Sequence, residues 1–269
     1  MGYQHLEITQ AGHVATLWLN RPEKRNAMSE DMWTGIPLAI ADLNADDTVR
    51  VIVLAGRGRA FTVGIDVNML ASLQPQGGST AEANLILYKK ILELQQTASC
   101  FADSPKPTIA AVHGYCLGAG MDLITACDIR IASADAIFSI RETKMGLVAD
   151  IGSLQRLPGI VGGGVTAEMA YTGADYTAGW ASEKGLVNRV YEDEPDLIAA
   201  SQNLAEEIAA NSPLVIQGIK KVLATGDGRT IDEALDHVAL WNSSFLFSND
   251  LREAVDAFME KRNPNFTGT

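Results

Sequence analysis

The sequence is poor in the residues that build disulfide frameworks and metal sites. Its 269 residues include three cysteines, at Cys100, Cys116 and Cys127, and four histidines. An odd number of cysteines without a CxxC spacing argues against a disulfide framework. The histidines form no HExxH or comparable ligand spacing. We therefore expect no metal site, and we interpret the cysteines as free thiols in a reducing setting.

Long apolar runs and an excess of basic residues are also missing. No apolar stretch approaches the roughly 20 residues that a membrane span needs. The formal net charge is -12 and the pI is near 4.7, which disfavours binding to nucleic acid or to an anionic membrane surface. The first ten residues, MGYQHLEITQ, lack the charged-then-apolar pattern of a secretory signal. These absences predict a cytoplasmic protein that partners neither nucleic acid nor membrane.

Common nucleotide-binding and hydrolase motifs do not occur either. The sequence has no GxGxxG, no GxxxxGK[ST] and no GxSxG. Its glycine-rich segments GRGRAF and LGAGMD each follow a strand pattern and lead toward a helix. Backbone N–H groups at such turns are free to bind an anion. Two converging segments would offer two N–H donors to one oxyanion, although spacing alone does not establish that they converge.

What the sequence does contain is an alternation of strand and helix patterns. With 47% hydrophobic residues, it is large enough for one sizeable core. Strand patterns alternate with helical ones up to about Arg189, and only helical patterns follow Pro195. We therefore predict an α/β fold with a catalytic core over residues 1–194 and a helical region over 195–269. The polar segment SLQPQGGS, residues 72–79, is predicted to be a loop that lines the site.

Three carboxylates stand in otherwise apolar parts of the sequence. Asp122 lies in GAGMDLITAC, and Glu142 and Asp150 lie in ETKMGLVADIGSLQRLP. Each has an ordinary explanation: Asp122 at a helix start, Glu142 on the surface at a strand end, and Asp150 as the N-cap of the following helix. Carboxylates in apolar surroundings also have raised pKa values, which suit them to proton transfer. Together the three residues indicate acid–base chemistry.

Longer segments identify a family resemblance. LNRPEKRNAM, RAFTVGIDV, AAVHGYCLGAGMDLITACDIRIAS and AFMEKRNPNF resemble, in this order, the crotonase (enoyl-CoA hydratase/isomerase) superfamily. The resemblance covers nearly the whole chain. It implies a crotonase-type spiral of repeated β-β-α units, a helical C-terminal trimerisation region, and a homotrimer or dimer of trimers. It also implies an acyl-CoA substrate, with no cofactor beyond the CoA of that thioester.

The same resemblance implies a set of binding residues. The thioester carbonyl would lie in an oxyanion hole between the backbone N–H groups of Ile65 and Ala119. Ala119 stands where the family often has glycine, and a methyl group there leaves the N–H free. The implied contacts to CoA and substrate are Lys24, Arg25, Ala27, Val63, Gly64, Asp66, Gly118, Phe258 and Lys261. The last two would reach the CoA of a neighbouring subunit.

Within the superfamily, the three acids resemble those of the Δ3,5-Δ2,4-dienoyl-CoA isomerase subgroup, and the match continues through LQRLP. The resemblance implies a fatty acid β-oxidation step in which a 3,5-dienoyl-CoA becomes a 2,4-dienoyl-CoA through a dienolate. C2 and C6 are too far apart for one carboxylate to serve both easily. Glu142 would therefore remove a proton from C2 and Asp150 would protonate C6. Asp122 would orient Glu142 through a shared proton or hydrogen bond.

Two alternatives remain open at this point. A 2-enoyl-CoA hydratase would use Asp122 and Glu142 to hold and activate water, with Asp150 structural. Hydratases usually have glutamate at position 122 and glycine at position 150, which counts against this reading. A non-catalytic acyl-CoA-binding member of the family would need none of the three acids, and a decayed site would have less reason to keep them all.

Overall fold

A six-stranded sheet forms the centre of the molecule. The computed structural model describes residues 3–72, 78–226 and 228–269, so residues 73–77 of the predicted site-lining loop lie outside the described residues. The strands of the large sheet, in spatial order, are β1 (Leu6–Ala11), β2 (Val14–Leu19), β3 (Val51–Gly56), β4 (Thr108–Val112), β6 (Ile129–Ser133) and β9 (Arg189–Tyr191). β1 and β2 pair antiparallel, and every other neighbouring pair in this sheet is parallel.

The central strands of this sheet are buried on both faces, as expected when parallel strands lie between two layers. One face packs against α8 (Glu194–Ala209), and Leu197 of this helix belongs to the same buried cluster as Trp18 of β2. The opposite face, which includes Leu17, belongs to the main hydrophobic core. α8 therefore forms a layer on this sheet, and the next helix along the chain is α9 (Pro213–Gly226).

A second, smaller sheet is built from the strands β5 (Tyr115–Leu117), β7 (Ile137–Ser139) and β8 (Tyr176–Thr177). β5 and β7 pair in parallel, and a parallel bridge between Thr62 and Cys116 adds one more segment beside β5. Successive parts of the chain therefore repeat one unit. A strand of the large sheet is followed by a strand of the small sheet and then a helix, as in β4–β5 before α4 (Ala119–Ala126) and β6–β7 before α5 (Ser153–Val161).

The first long helix contains a proline whose missing hydrogen bond is replaced from a neighbouring helix. α1 (Glu30–Ala45) continues through Pro37. Proline has no N–H to donate to the carbonyl four residues earlier, which is that of Trp33. The hydroxyl of Thr97 donates to that carbonyl at 2.8 Å instead. Thr97 belongs to α3 (Thr80–Asp103), so this bond also joins the two helices.

The other helices are α2 (Val67–Ser72), α6 (Gly163–Thr172), α7 (Ala178–Glu183), α10 (Ile231–Phe245) and α11 (Asn249–Glu260), with 3₁₀ turns at Pro22–Lys24 and Glu142–Met145. The predicted change from mixed strands and helices to helices alone is confirmed, because β9 is the last strand of the described residues. Within the same ranges, every helix is too short or too polar to span a bilayer.

Helices α9 to α11 leave large apolar side chains uncovered in the single chain. The exposed ones include Ile219, Leu223, Leu235, Leu240, Val255, Phe258 and Met259. A cavity of about 480 Å³ lies among these three helices, and its lining includes none of the predicted site residues. Uncovered apolar area of this extent is typical of surfaces that meet another protein chain.

Candidate active site

Three turns of the repeated unit meet at one end of the small sheet. Thr62 pairs in parallel with β5, and β5 pairs in parallel with β7, so the three segments end at the same edge. The residues that follow them are 63–66, 118–119 and 140–142. Ligand sites in α/β folds form at such carboxyl edges of parallel strands. The repeat therefore brings three stretches that are distant in sequence to one place.

Two of these turns approach each other closely at Gly64, where there is no side chain to separate them. Gly64 has φ of +93°, a backbone conformation that L side chains rarely adopt. A Cβ at this position would lie 3.0 Å from the carbonyl oxygen of Leu117 and 3.7 Å from the backbone nitrogen of Ala119. The two glycine-rich segments thus converge, which spacing alone left open.

The converging turns present two unpaired N–H groups. The backbone N–H of Met28 donates to the carbonyl of Gly64, and the backbone carbonyl of Met28 accepts from the N–H of Asp66, both within 3.0 Å. The N–H of Ile65, which lies between these two residues, takes part in neither bond. Ala119 is the first residue of α4, where N–H groups have no partner within the helix. Neither N–H donates to any group in the described residues. This pair has the chemistry of an oxyanion hole.

Asp122 is the most deeply buried of the three acids. It lies in the first turn of α4, is 1% exposed, and accepts a hydrogen bond from the backbone N–H of Ser153 at 2.7 Å. Burial raises the pKa of Asp122 to about 7, and the nearby charge of Glu142 adds to the increase. The Ser153 N–H opposes it by favouring the ionised form.

Glu142 begins the 3₁₀ turn that follows β7 and reaches back toward the oxyanion turn. Its Oε1 lies 3.3 Å from the position that a Cβ on Gly118 would occupy. Its Oε2 is buried and has no hydrogen-bond partner in the described residues. Burial raises the pKa of Glu142, and the charge of Asp150 raises it further. A buried, unpaired carboxylate oxygen beside two free N–H donors suits a base for a substrate proton.

Asp150 lies in the irregular segment between the 3₁₀ turn and α5. The residue is exposed in the single chain, yet the surrounding protein still removes enough water to raise the pKa of its carboxyl. The N-cap of α5 is Gly152, so the helix-cap interpretation of Asp150 is wrong. The first N–H of α5 is instead bound by Asp122, which comes from a different helix. Asp150 is thus left without a structural role as a cap.

The loop predicted to bind CoA is joined to the oxyanion turn. Arg25 and Asn26 both have positive φ, and Asn26 is fully buried, with its side chain bound to the carbonyls of Arg57 and Ala60. The N–H of Val63 donates to the carbonyl of Arg25 at 3.2 Å. The side chains of Lys24 and Arg25 remain exposed, as cations that meet an anionic ligand must.

A second connection between these two segments was not predicted from the sequence. Arg21 donates to the carbonyl of Ala27 at 3.1 Å and to the carboxylate of Asp66 at 2.7 Å. Both partners are predicted ligand contacts, and the pair is mostly buried. Arg21 holds the pKa of Asp66 below its usual range. No sequence motif marks Arg21 for this role, because its partners are 6 and 45 residues away.

Phe258 and Lys261 lie away from these contacts in the single chain. Phe258 is 81% exposed near the end of α11, and Lys261 is the left-handed C-cap residue of that helix. The side chain of Lys261 forms no ion pair in the part of the chain that the structure describes. Their predicted role on a neighbouring subunit stays a prediction. In the same described ranges, no cluster of three or more His, Cys, Asp or Glu side chains could hold a metal.

Comparisons with known proteins identify the family of this chain. The family described as enoyl-CoA hydratase/isomerase matches residues 9–269. A mitochondrial Δ3,5-Δ2,4-dienoyl-CoA isomerase of Dictyostelium discoideum is 42% identical, over 98% of this chain and 91% of that protein. A peroxisomal Δ3,5-Δ2,4-dienoyl-CoA isomerase of Arabidopsis thaliana is 42% identical, over 98% of this chain and 97% of that protein.

Among solved structures, an enoyl-CoA hydratase from Bacillus anthracis superposes with a TM-score of 0.90 at 28% identity. The superposition covers 99% of this chain and 100% of that one. The predicted crotonase-type α/β fold is therefore confirmed over the whole length of the chain.

Proposed function

The chain belongs to the enoyl-CoA hydratase/isomerase family, and from this premise we propose that it is an isomerase that converts a 3,5-dienoyl-CoA into the 2,4-dienoyl-CoA, a step of fatty acid β-oxidation. The observation that carries the proposal is the third acid. Asp150 does not cap α5, its pKa is raised, and its charge acts on Glu142. A hydratase has no use for a carboxyl at this place, whereas an isomerase needs a second proton-transfer group.

In the proposed mechanism, the thioester carbonyl accepts hydrogen bonds from the N–H groups of Ile65 and Ala119. Glu142 removes a proton from C2, and the electrons of that C–H bond pass into the carbonyl and the diene. The resulting dienolate is stabilised by the two N–H donors, each of which contributes about 3–4 kcal/mol in comparable oxyanion holes.

Asp150 then protonates C6, which leaves double bonds at C2 and C4 and completes the isomerisation. At that point Glu142 is protonated and Asp150 is ionised, so each must exchange one proton with solvent before the next turnover. The exposure of Asp150 gives it direct access to water. Partial burial raises the pKa of the Asp150 carboxyl, which is the direction that a proton donor needs.

Asp122 has a supporting role in this scheme. Its pKa of about 7 means that it is partly protonated at neutral pH, which lowers the repulsion that an ionised Glu142 meets. Its hydrogen bond to Ser153 also fixes the start of α5, and hence the end of the segment that contains Asp150. Asp122 therefore acts on both of the proton-transferring acids without contacting the substrate.

One assay separates this proposal from the hydratase alternative. Purified protein is given a 3,5-dienoyl-CoA and, separately, crotonyl-CoA. The proposal expects growth of the 2,4-dienoyl absorbance with the first substrate after dialysis against a chelator, because no cofactor beyond the CoA thioester is required. Hydration of crotonyl-CoA with no action on the diene would contradict it. CoA binding without turnover of either substrate would support a non-catalytic member.

We also propose that Lys24 and Arg25 bind the CoA phosphates, and that Phe258 and Lys261 complete that site in a homotrimer or dimer of trimers. The exposed apolar side chains of α9 to α11 support an oligomer. Sedimentation analysis would measure three or six chains in the particle, whereas a monomer would contradict the proposal.

The sequence-based expectation of a cytoplasmic location remains a proposal. The Dictyostelium relative is named mitochondrial and the Arabidopsis relative peroxisomal, so an organelle is the alternative. Cell fractionation distinguishes the two, because a protein recovered with organelles would contradict the cytoplasmic assignment.

A further inference from the structure

The segment that carries Asp150 has few contacts of its own. Residues 148–151 form no backbone–backbone hydrogen bond in the described structure. Two of their side chains, Ala149 and Ile151, are buried and belong to the main core. Among the described residues, one hydrogen bond reaches this segment from outside: the side-chain amide of Gln95 donates to the backbone carbonyl of Asp150 at 2.7 Å.

Gln95 lies on a helix that is well fixed. It is in α3, where Leu94 and Ala98 are buried and Thr97 donates to α1. α3 also packs against α4, the helix that begins with the Ala119 N–H and includes Asp122. The donor that holds Asp150 is therefore rigidly connected to the helix that presents the oxyanion hole.

A second contact from the same face of α3 holds the start of α5. Ser99, one helical turn after Gln95, accepts from the guanidinium of Arg156 at 3.0 Å. The Arg156 guanidinium lies against Gly152, at the place that a Cβ on this residue would occupy. Gly152 has φ of +133°, a backbone conformation that favours glycine at this position. α3 thus holds the acid-bearing segment at Asp150 and again just beyond it.

From these contacts we infer that Gln95 is a positioning residue that sets where the Asp150 carboxyl lies along the bound acyl chain. The inference rests on the proposed function, since it concerns the step in which C6 is protonated. Within the described residues, the hydrogen bond of the Gln95 side chain goes to the backbone carbonyl of Asp150 and not to Glu142 or to either N–H of the oxyanion hole. Its loss would therefore displace the proton donor without altering C2, Glu142 or the oxyanion hole.

The test compares Gln95→Met, which keeps the length of the side chain but removes its donor, with Gln96→Met. Gln96 is the adjacent residue of α3, and its side chain is exposed and forms no hydrogen bond in the described residues, so it is a matched control. Both variants are assayed in D₂O for product formation and for deuterium entering C2 of recovered substrate. The second rate reports proton removal by Glu142 alone.

We expect Gln95→Met to lower kcat for isomerisation on the order of 10- to 100-fold, as displacements of about 1 Å do at other catalytic sites. C2 exchange and KM should stay near their values in the unaltered protein, so the ratio of exchange to product should rise by the same factor. Gln96→Met should leave that ratio unchanged.

An unchanged ratio in Gln95→Met, or an equal loss of both rates, would overturn the inference. If Gln95→Met does not fold, Ser99→Ala is assayed in its place, because it removes the hydrogen bond from Arg156 to α3. A raised ratio of C2 exchange to product would then support the inference, and an unchanged ratio would overturn it. A failure of the proposed function looks different, since the unaltered protein would then form no 2,4-dienoyl product at all.

Discussion

The proposed oxyanion side of the site consists of backbone groups, whereas the proposed acid side consists of side chains. Ile65 and Ala119 offer N–H groups whose positions follow from parallel pairing and from the close approach at Gly64. Glu142 and Asp150 lie on a 3₁₀ turn and an irregular segment, with few hydrogen bonds of their own. We therefore expect the first side to tolerate a change of side chain, such as the methyl group of Ala119, and the second side not to do so.

Removal of either proton-transferring acid should have the largest effect and should distinguish their roles. Glu142→Gln and Asp150→Asn keep the size of each side chain but remove the ionisable group. Each should lower the rate of isomerisation on the order of 10²- to 10⁴-fold, the usual contribution of a general acid or base. In D₂O, deuterium should still enter C2 in Asp150→Asn, whereas Glu142→Gln should lose that exchange as well.

The reverse pattern would contradict the assigned directions of transfer. If Asp150→Asn abolished C2 exchange while Glu142→Gln retained it, Asp150 would be the base. Near-normal turnover by Asp150→Asn would remove the argument against a hydratase. Thermal unfolding of both variants provides the control, because neither substitution removes a structural hydrogen bond.

The oxyanion side should lose activity when a substitution displaces its backbone. In Gly64→Ala, the added methyl meets the carbonyl of Leu117 at 3.0 Å and is strained at positive φ, so the turns around Ile65 and Ala119 must separate. Loss of one N–H donor would lower kcat on the order of 10²- to 10³-fold. The control is Gly12→Ala, which has positive φ but no atom within 4 Å of the added methyl.

Steady-state kinetics check this prediction. Gly12→Ala should lose some stability to backbone strain while its kcat stays unchanged. If Gly64→Ala were no worse than Gly12→Ala in kcat, the two N–H groups would not be the oxyanion hole.

The buried acid, Asp122, should appear in the pH dependence of stability. Its folded-state pKa is raised from 3.8 to about 7, so the folded protein binds this proton more tightly than the unfolded chain does. The free energy of unfolding should therefore fall as pH rises from about 4 to 7 and level off above. The raised pKa values of Glu142 and Asp150 act in the same direction.

Asp122→Asn tests this directly, because its amide oxygen still accepts from Ser153 and cannot ionise. Urea unfolding at pH 5 and pH 8, at a fixed chain concentration, should show a smaller difference than in the unaltered protein. The variant should be more stable at pH 8 by up to about 4 kcal/mol, the equivalent of a shift of three pH units. An unchanged pH dependence would mean that Asp122 is not buried as a partly protonated acid.

The two sides of the site also differ in how far the sequence predicts them. The order of strands and helices follows from apolar patterning, and the parallel pairing that aligns the turns follows from that order. The convergence of Gly64 with Ala119 depends on tertiary packing, which residue spacing does not contain. The family resemblance, which covers nearly the whole chain, supplied that information instead.

On the acid side, the identity of the three acids was predictable but their partners were not. Asp150 was open to interpretation as a helix cap, and the structure assigns the first N–H of α5 to Asp122, 31 residues earlier. Gln95 is 55 residues from Asp150 and belongs to no motif. A single hydrogen bond between distant segments leaves no periodic signal in a sequence, so such positioning contacts need coordinates.

The smallest predicted effect concerns the connection between the oxyanion turn and the CoA loop. Arg21→Met removes the bonds to the Ala27 carbonyl and to Asp66, and leaves a mostly buried carboxylate without its cation near the expected CoA phosphates. KM for the acyl-CoA should rise several-fold through this repulsion and through the looser loop, while kcat changes little, because the N–H groups and acids are untouched.

Loss of one positive charge could by itself weaken the binding of an anionic ligand, so the control must remove the same charge. Arg59→Met does so at a nearby exposed position, where the arginine forms no ion pair in the described residues. A larger rise in KM for Arg21→Met than for Arg59→Met would locate the effect in the connection. Equal rises in KM would mean that the effect comes from the loss of positive charge alone. A fall in kcat for Arg21→Met alone would mean that the CoA loop also helps to position the oxyanion hole.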